Sequence, residues 1–335
     1  MNKLEFGNYT LKFGDKVLLD LFDEVVMPSF FEMRFKRKFM DTEYFFIDTK
    51  IVKLSEEGAE VPEIGICGRI VKNTKLKREQ IFVGSELVDA PMELETAPSS
   101  SFLLILNNHR LIFHKEVAGA PTIDVFRTTS EQFLRKRHKE YIDELWKAGK
   151  ERREQDSNAP RVTKVALLED MPWPELRITP LTDKQNLNDF VNRFSQIDRL
   201  SIKLVPTNTE INNDDFWQKL ETSKTEMNSP STTISFSNTK DGLNSEEVLR
   251  QTRAATNLAN SEIKLVGHDH NGDELNGDNE DFDLTAEAGD MPRDIDLASE
   301  SKYKKFKELA KLGTITLPAI TQGVMNKITV IFNRL

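Results

Sequence analysis

Residues 98 to 121, PSSSFLLILNNHRLIFHKEVAGAP, bring His109, Arg110, His114 and Lys115 close together between two apolar runs. Imidazoles can move protons or bind metals, and guanidinium and ammonium groups can hold phosphates. A second stretch, DHNGDELNGDNE, sets Asp269, Asn271, Asp273 and Glu280 at the first, third, fifth and twelfth places of an EF-hand-like loop. The sixth place needs glycine for its sharp turn, and here it is Glu274. The eighth is Asn276, where an apolar residue is usual, and the segment before the loop, SEIKLVG, reads as a strand. We expect an acidic turn around Gly272 and Gly277. His268 and His270 lack a third ligand at suitable spacing. Cys67, inside IGICGRI, reads as a buried structural thiol. The carboxylate pairs Asp214–Asp215 and Glu246–Glu247 stand at expected helix starts, where they complement the helix dipole.

No P-loop, dinucleotide-binding glycine pattern or nucleophile elbow occurs. No cofactor or metal is expected. The one enzymatic reading left is a metal-dependent nuclease whose carboxylates converge from separate elements.

The 335 residues carry a net charge of -9, but unevenly. Residues 1–165 hold 27 basic and 27 acidic side chains. Residues 268–300 carry -11, and the rest of the chain is +2 without them. Local basic patches therefore remain able to meet a polyanion. The single cysteine excludes an internal disulfide and fits a reducing cytoplasm. No apolar run of membrane-spanning length and no secretory leader is evident, so a cytoplasmic protein is expected.

Aromatic and β-branched alternation predicts strands at 30–39 and 43–54, a strand, a turn and a strand over 64–82, strands in the hairpin at 98–121, and another in TIDVFRTT. A helix is expected over 130–154, capped by Thr128 with Glu131. Phe133, Leu134, Tyr141, Leu145 and Trp146 form its apolar face, and Arg135, Lys136, Arg137, Lys139, Lys147 and Lys150 the other. Asn107 and Asn108 tolerate positive φ and explain the hairpin turn.

QDSNAP, residues 155–160, has linker composition, which divides the chain into 1–157 and 158–335. In the second part VTKVALLE, ELRITPL, RLSIKLVP, TTISFSN and SEIKLVGHD read as strands. Helices alternate with them, one capped by Asn213 or Asp214 and another by Asn244 or Ser245. KYKKFKELAKLG reads as a basic helix closed by Gly313. The apolar tail is expected in a core or against a second chain. The fold class is α+β: an N-terminal, mostly antiparallel sheet with a long helix, then alternating strands and helices with an acidic hairpin at 268–300.

Three basic clusters are the strongest binding signal. Arg34, Lys36 and Lys38 share one face of an expected strand. Lys75, Lys77 and Arg78 follow near a turn, and Arg135, Arg137 and Lys139 sit on the long helix. With Arg110 and Lys115 they are the candidate phosphate contacts. The bland alternative is a set of solvated faces paired with the equally numerous carboxylates.

The run SSFLLILNNHRLIFHKEVAGAPTIDVFRTTSEQFL, followed by DRLSIKLVP and IKLVGHDHNGDE, resembles a group of bacterial and prophage anti-phage defence proteins that includes RexA and KwaB. The resemblance lies in the order of elements, and no functional residue is carried over from it. It implies a cytoplasmic protein that binds DNA without sequence preference, self-associates, and acts with a membrane or effector partner encoded nearby. The residues themselves also allow the acidic segment to cover a basic groove, in the same chain or a partner, and so to compete with nucleic acid. The alternative from the residues is a protein–protein scaffold or sensor subunit that binds no nucleic acid.

Overall fold

The computed structural model describes residues 2–31, 33–55, 62–205, 211–212, 215–229 and 231–335. The first part runs β1 (Lys3–Phe13), β2 (Lys16–Val17), a 3-10 and a π turn over 18–26, α1 (Met27–Phe30), β3 (Arg37–Phe39), β4 (Thr42–Lys53), β5 (Ile64–Val83), β6 (Glu86–Thr96), β7 (Ser99–Ile105), β8 (Arg110–Lys115) and α2 (Ile123–Gln155). The second runs α3 (Lys164–Asp170), β9 (Glu175–Pro180), α4 (Lys184–Val191), β10 (Phe194–Leu204), β11 (Ile211–Asn212), α5 (Asp215–Glu226), β12 (Thr233–Ser237), α6 (Ser245–Thr256), β13 (Ser261–Asp269), β14 (Glu274–Asp278), β15 (Thr285–Glu287), α7 (Ile295–Lys311), β16 (Ala319–Ile320) and α8 (Gln322–Phe332).

The fold is α+β. A large antiparallel sheet follows the order β15-β1-β8-β7-β5-β4-β3, with β9 also beside β1 and β6 beside β5. Strand alternation gives it two apolar faces. Tyr9, Leu11, Phe13, Phe102, Leu104 and Phe113 pack against Phe126, Phe133 and Leu134 of α2, with Val324, Ile328 and Ile331 of α8 in the same core. Leu4, Phe6, Cys67, Leu103, Ile105 and Ile112 pack against Ile295 and Phe306 of α7. Each buried aromatic side chain contributes roughly 1.5–3 kcal/mol of transfer energy. The Phe102–Phe126 rings lie 4.8 Å apart, inside the range where aromatic pairs attract beyond area burial. A four-stranded sheet, β12-β10-β13-β14, forms a third core with α4 and α6.

Strands that follow residue 157 return to the large sheet. β9 pairs with β1 from Lys12↔Glu175 to Gly7↔Pro180, and β15 pairs with it from Lys3↔Glu287 to Glu5↔Thr285. Gly7 permits the first contact, since a Cβ there would stand 2.8 Å from Ile178 Cγ2. The apolar tail becomes α8 and fills the core beneath α2.

Several local expectations are corrected. TIDVFRTT is the start of α2, not a strand: Thr122 caps the helix by accepting from Val125 N at 3.3 Å. Phe126 and Phe133 are seven residues apart, so both face the sheet from one side of a helix. Thr128 lies inside α2 and donates to Asp124 O at 3.0 Å. VTKVALLE is α3, capped by Thr163. Among the described residues of the 30–39 segment, Arg37–Phe39 alone pairs as a strand, and 64–82 lies in one continuous strand, β5, with no turn near Lys75. Asn244 caps α6 as expected, accepting from Glu247 N at 2.9 Å, while Asn213 and Asp214 lie outside the described residues. The acidic stretch is built into both sheets through β14 and β15, with Phe282 and Leu284 buried.

His138 is fully buried, its Nε2 3.0 Å from Met171 O and its ring stacked on Phe13. Burial pulls its pKa down, and burial followed by nearby Lys302 does the same for His114. As pH falls through the unfolded value of about 6.5, the unfolded chain takes up protons first and stability is lost. Thermal melts should therefore show a falling midpoint between about pH 7.5 and about pH 5.5. His138→Gln should flatten that fall, and an unchanged slope in the variant contradicts the assignment.

Candidate functional site

An open cleft of about 930 Å³ lies between α2, β9 and the smaller sheet. All six residues of β9, Glu175 to Pro180, border it. A strand offers consecutive residues through its edge, because a face would offer alternate ones. β9 has β1 on one side and, among the described residues, no strand on the other. The direction of its backbone groups follows from β1. Tyr9 donates its N–H to His109 O at 2.8 Å, away from β9. Leu181 donates to Phe6 O at 2.9 Å, on the β9 side. The Tyr9↔Ile178 pair is therefore a non-hydrogen-bonded one. The N–H and C=O of Ile178, and by alternation those of Leu176, point into the cleft.

Charges of both signs line this edge. On α2, Glu131 is shared by Arg127 at 3.6 Å and Arg135 at 2.7 Å. On the opposite wall, Glu262 of β13 is shared by Arg177 of β9 at 2.6 Å and Lys203 of β10 at 2.9 Å. These are partly solvated pairs, worth about 0–1 kcal/mol each, so a ligand can exchange with them cheaply.

The basic clusters foreseen from sequence do adjoin one another. Lys136 donates to Lys36 O at 3.1 Å, Arg34 meets Glu140 of α2 at 2.6 Å, and Lys77 lies 3.8 Å from Asp41. Most are already matched by carboxylates. Lys36 and Lys38 flank Glu43 at 3.0 and 3.2 Å, and their hydrogen bonds hold its carboxyl below the usual range. Lys75 meets Glu93 at 3.2 Å, Arg78 donates to Ala90 O at 3.2 Å, and Lys115 meets Glu5 at 3.0 Å. Arg135 lines the cleft. Lys139 is exposed with no carboxylate within 4.0 Å among the described residues.

Two candidates are removed from any phosphate-facing surface. Arg137 is buried, its guanidinium bound to Glu144 at 2.5 Å and to Glu24 O at 2.7 Å. Position 137 follows Phe133 by four residues, so helical spacing turns it to the core. Arg110 is 1% exposed, and among the described residues its guanidinium reaches Leu258 O and Thr316 O alone, each at 3.4 Å. Burial alone lowers its pKa to about 10.

The hairpin histidines, whose types alone would permit proton transfer or metal binding, are interior, as a structural hairpin requires. His109 is buried and carries the positive φ, 54°, that was expected of the asparagines. Asn107 instead bridges Ile64 N and Pro62 O. At the EF-hand-like loop, Asp269 Oδ1 accepts from the N–H groups of Asn271 at 2.8 Å and Asp273 at 3.0 Å. Among the described residues, no three His, Cys, Asp or Glu side chains are grouped to hold a metal ion.

Sequence reasoning missed the β9 edge. Its available signal was alternation with charges at Glu175 and Arg177 and a terminal Pro180, all of which suit an edge strand. It also missed Lys302, whose ammonium lies 2.9 Å from Ser101 Oγ. A serine–lysine pair is a nucleophile arrangement in some enzymes, but both residues are fully buried and border none of the described cavities. It is a polar pair within the core.

A family model described as a domain of unknown function, DUF4747, matches residues 164–289. That stretch runs from α3 through β15, so it holds β9 and the wall facing it but not α2. No curated protein and no solved structure matches the chain.

Burial pulls the Lys302 pKa down to about 8. The folded chain thus releases this proton before the unfolded chain does, and stability rises with pH between about 8 and the ordinary lysine value of about 10.4. A buried ammonium whose hydrogen-bond partner, Ser101 Oγ, is a neutral hydroxyl carries a desolvation cost that an apolar side chain of similar shape does not. Lys302→Met should melt at or above the wild-type temperature and lose this alkaline rise. A markedly lower midpoint contradicts it.

Proposed function

We propose that this protein is an interaction module that captures an extended peptide segment of a partner protein as an added strand on β9. The observation that carries the reading is the open edge of β9, with the Ile178 and Leu176 backbone groups turned into a charge-lined cleft. In strand addition, main-chain hydrogen bonds supply affinity and flanking side chains select sequence. Arg177 and Lys203 on one wall, with Glu175 and Glu262, favour a segment in which acidic and basic residues are interspersed. This matches the scaffold or sensor alternative of the sequence. An anti-phage setting rests on the resemblance to RexA and KwaB in order of elements.

A second reading keeps sequence-independent DNA contact but moves it. Lys139, Lys147, Arg152 and Arg153 are exposed along the distal half of α2, with no carboxylate within 4.0 Å among the described residues. Binding of this kind weakens steeply as salt rises. A mobility-shift titration against plasmid DNA at two salt concentrations separates the readings.

The peptide reading is tested with fluorescein-labelled peptides of alternating Lys-Val-Glu-Val sequence, read by polarisation. Ile178→Pro removes one outward N–H at a position where an edge strand accepts proline. It should weaken binding by about tenfold, the equivalent of about 1.4 kcal/mol, and leave the circular dichroism spectrum unchanged. Peptides N-methylated at alternate residues should lose binding likewise. Equal binding by wild type and variant overturns the strand-addition mode.

A further inference from the structure

The β5–β6 hairpin carries an apolar face of its own. β5 pairs with β7 only as far as Val71↔Ser99, and with β4 only as far as Glu43↔Asn73. Beyond Thr74 it pairs, among the described residues, with β6 alone, so residues 74–96 form a two-stranded ribbon reaching out from the sheet. Such ribbons are marginal in water by themselves.

The register sorts its side chains. The rungs Leu76↔Leu94, Arg78↔Met92, Gln80↔Asp89 and Phe82↔Leu87 share one face. Lys75↔Glu95, Lys77↔Glu93, Ile81↔Val88 and Val83↔Glu86 lie on the other, where Glu93 meets both lysines and the apolar side chains are smaller. On the first face Leu76, Phe82, Leu87, Met92 and Leu94 are 58%, 70%, 69%, 50% and 54% exposed. Five large apolar side chains on one side of a projecting ribbon form a patch of the kind that marks an interface.

We infer that this face is a self-association surface on which the ribbon of a second copy of the chain packs in antiparallel register. Edge-to-edge pairing is disfavoured, because Pro91 and the irregularity between Arg78 and Gln80 interrupt the outer strand. Face-to-face packing is self-complementary. Under a two-fold axis across the middle of the ribbon, the Leu76–Leu94 rung of one copy meets the Phe82–Leu87 rung of the other. The Arg78–Met92 rung meets the Gln80–Asp89 rung, which brings Arg78 within reach of the other copy's Asp89. An isologous dimer needs this kind of complementarity. The ribbon holds three basic and five acidic residues, which argues against an anionic membrane as the occupant. This inference is independent of the β9 cleft.

Sedimentation equilibrium of the full chain tests it. The wild type should run at twice the chain mass of 38.4 kDa at micromolar concentrations. Phe82→Asp should run as a monomer with an unchanged melting temperature, since this side chain lies outside the cores. Arg78→Asp and Asp89→Arg should each weaken the dimer, and the double variant should regain it. In an oxidised mixture, Leu76→Cys and Phe82→Cys chains should crosslink to each other. A monomeric wild type, a dimer untouched by Phe82→Asp, or a double variant no better than the singles overturns the inference. So does a monomer that co-sediments with phosphatidylglycerol vesicles through Phe82.

Discussion

The hydrogen bonding of β1 is the constraint on which the rest depends. This strand pairs with β2, β8, β9 and β15, and so joins the first strand of the chain to segments far along it. Because its residues alternate, Leu4 and Phe6 commit to one core while Tyr9, Leu11 and Phe13 commit to the other. A slip of one residue would exchange these faces, which is why the register is strongly specified. The same alternation decides which way β9 presents its backbone. Gly7 lets Ile178 come close, Tyr9 turns its N–H toward His109, and the cleft-facing groups of β9 follow.

Electrostatics shapes the surface by local matching rather than by a broad field. The basic clusters on β3, β5 and α2 do lie near one another, yet Glu43, Glu93, Glu131 and Glu140 interleave with them. A polyanion would have to displace these carboxylates against a net charge of -9. A peptide with both signs can exchange partners one for one. That asymmetry is why the cleft reads more readily as a protein-binding groove than as a phosphate track.

The α+β class, the antiparallel first sheet, the long helix, and the alternation of the second half were legible in the sequence, because period-two and helical patterns are local. What misled was local chemistry serving a distant partner. TIDVFRTT is rich in residues that suit strands, but its phenylalanine belongs to a helical stripe facing the sheet. Arg110, His109 and Lys302 looked polar in sequence, and they are buried where separate parts of the chain meet. The cleft was invisible for the same reason: Arg177, Lys203 and Glu262 come from three strands, and only tertiary pairing brings them together.

The most direct measurement is residue-resolved amide hydrogen exchange along β9 in the free protein and with a bound peptide. An open edge predicts fast exchange at Leu176 and Ile178 and protection at Arg177 and Thr179, whose amides face β1. Bound peptide should then protect Leu176 and Ile178. Protection of all four amides in the free protein, or no added protection at Leu176 and Ile178 when peptide binds, would contradict the account.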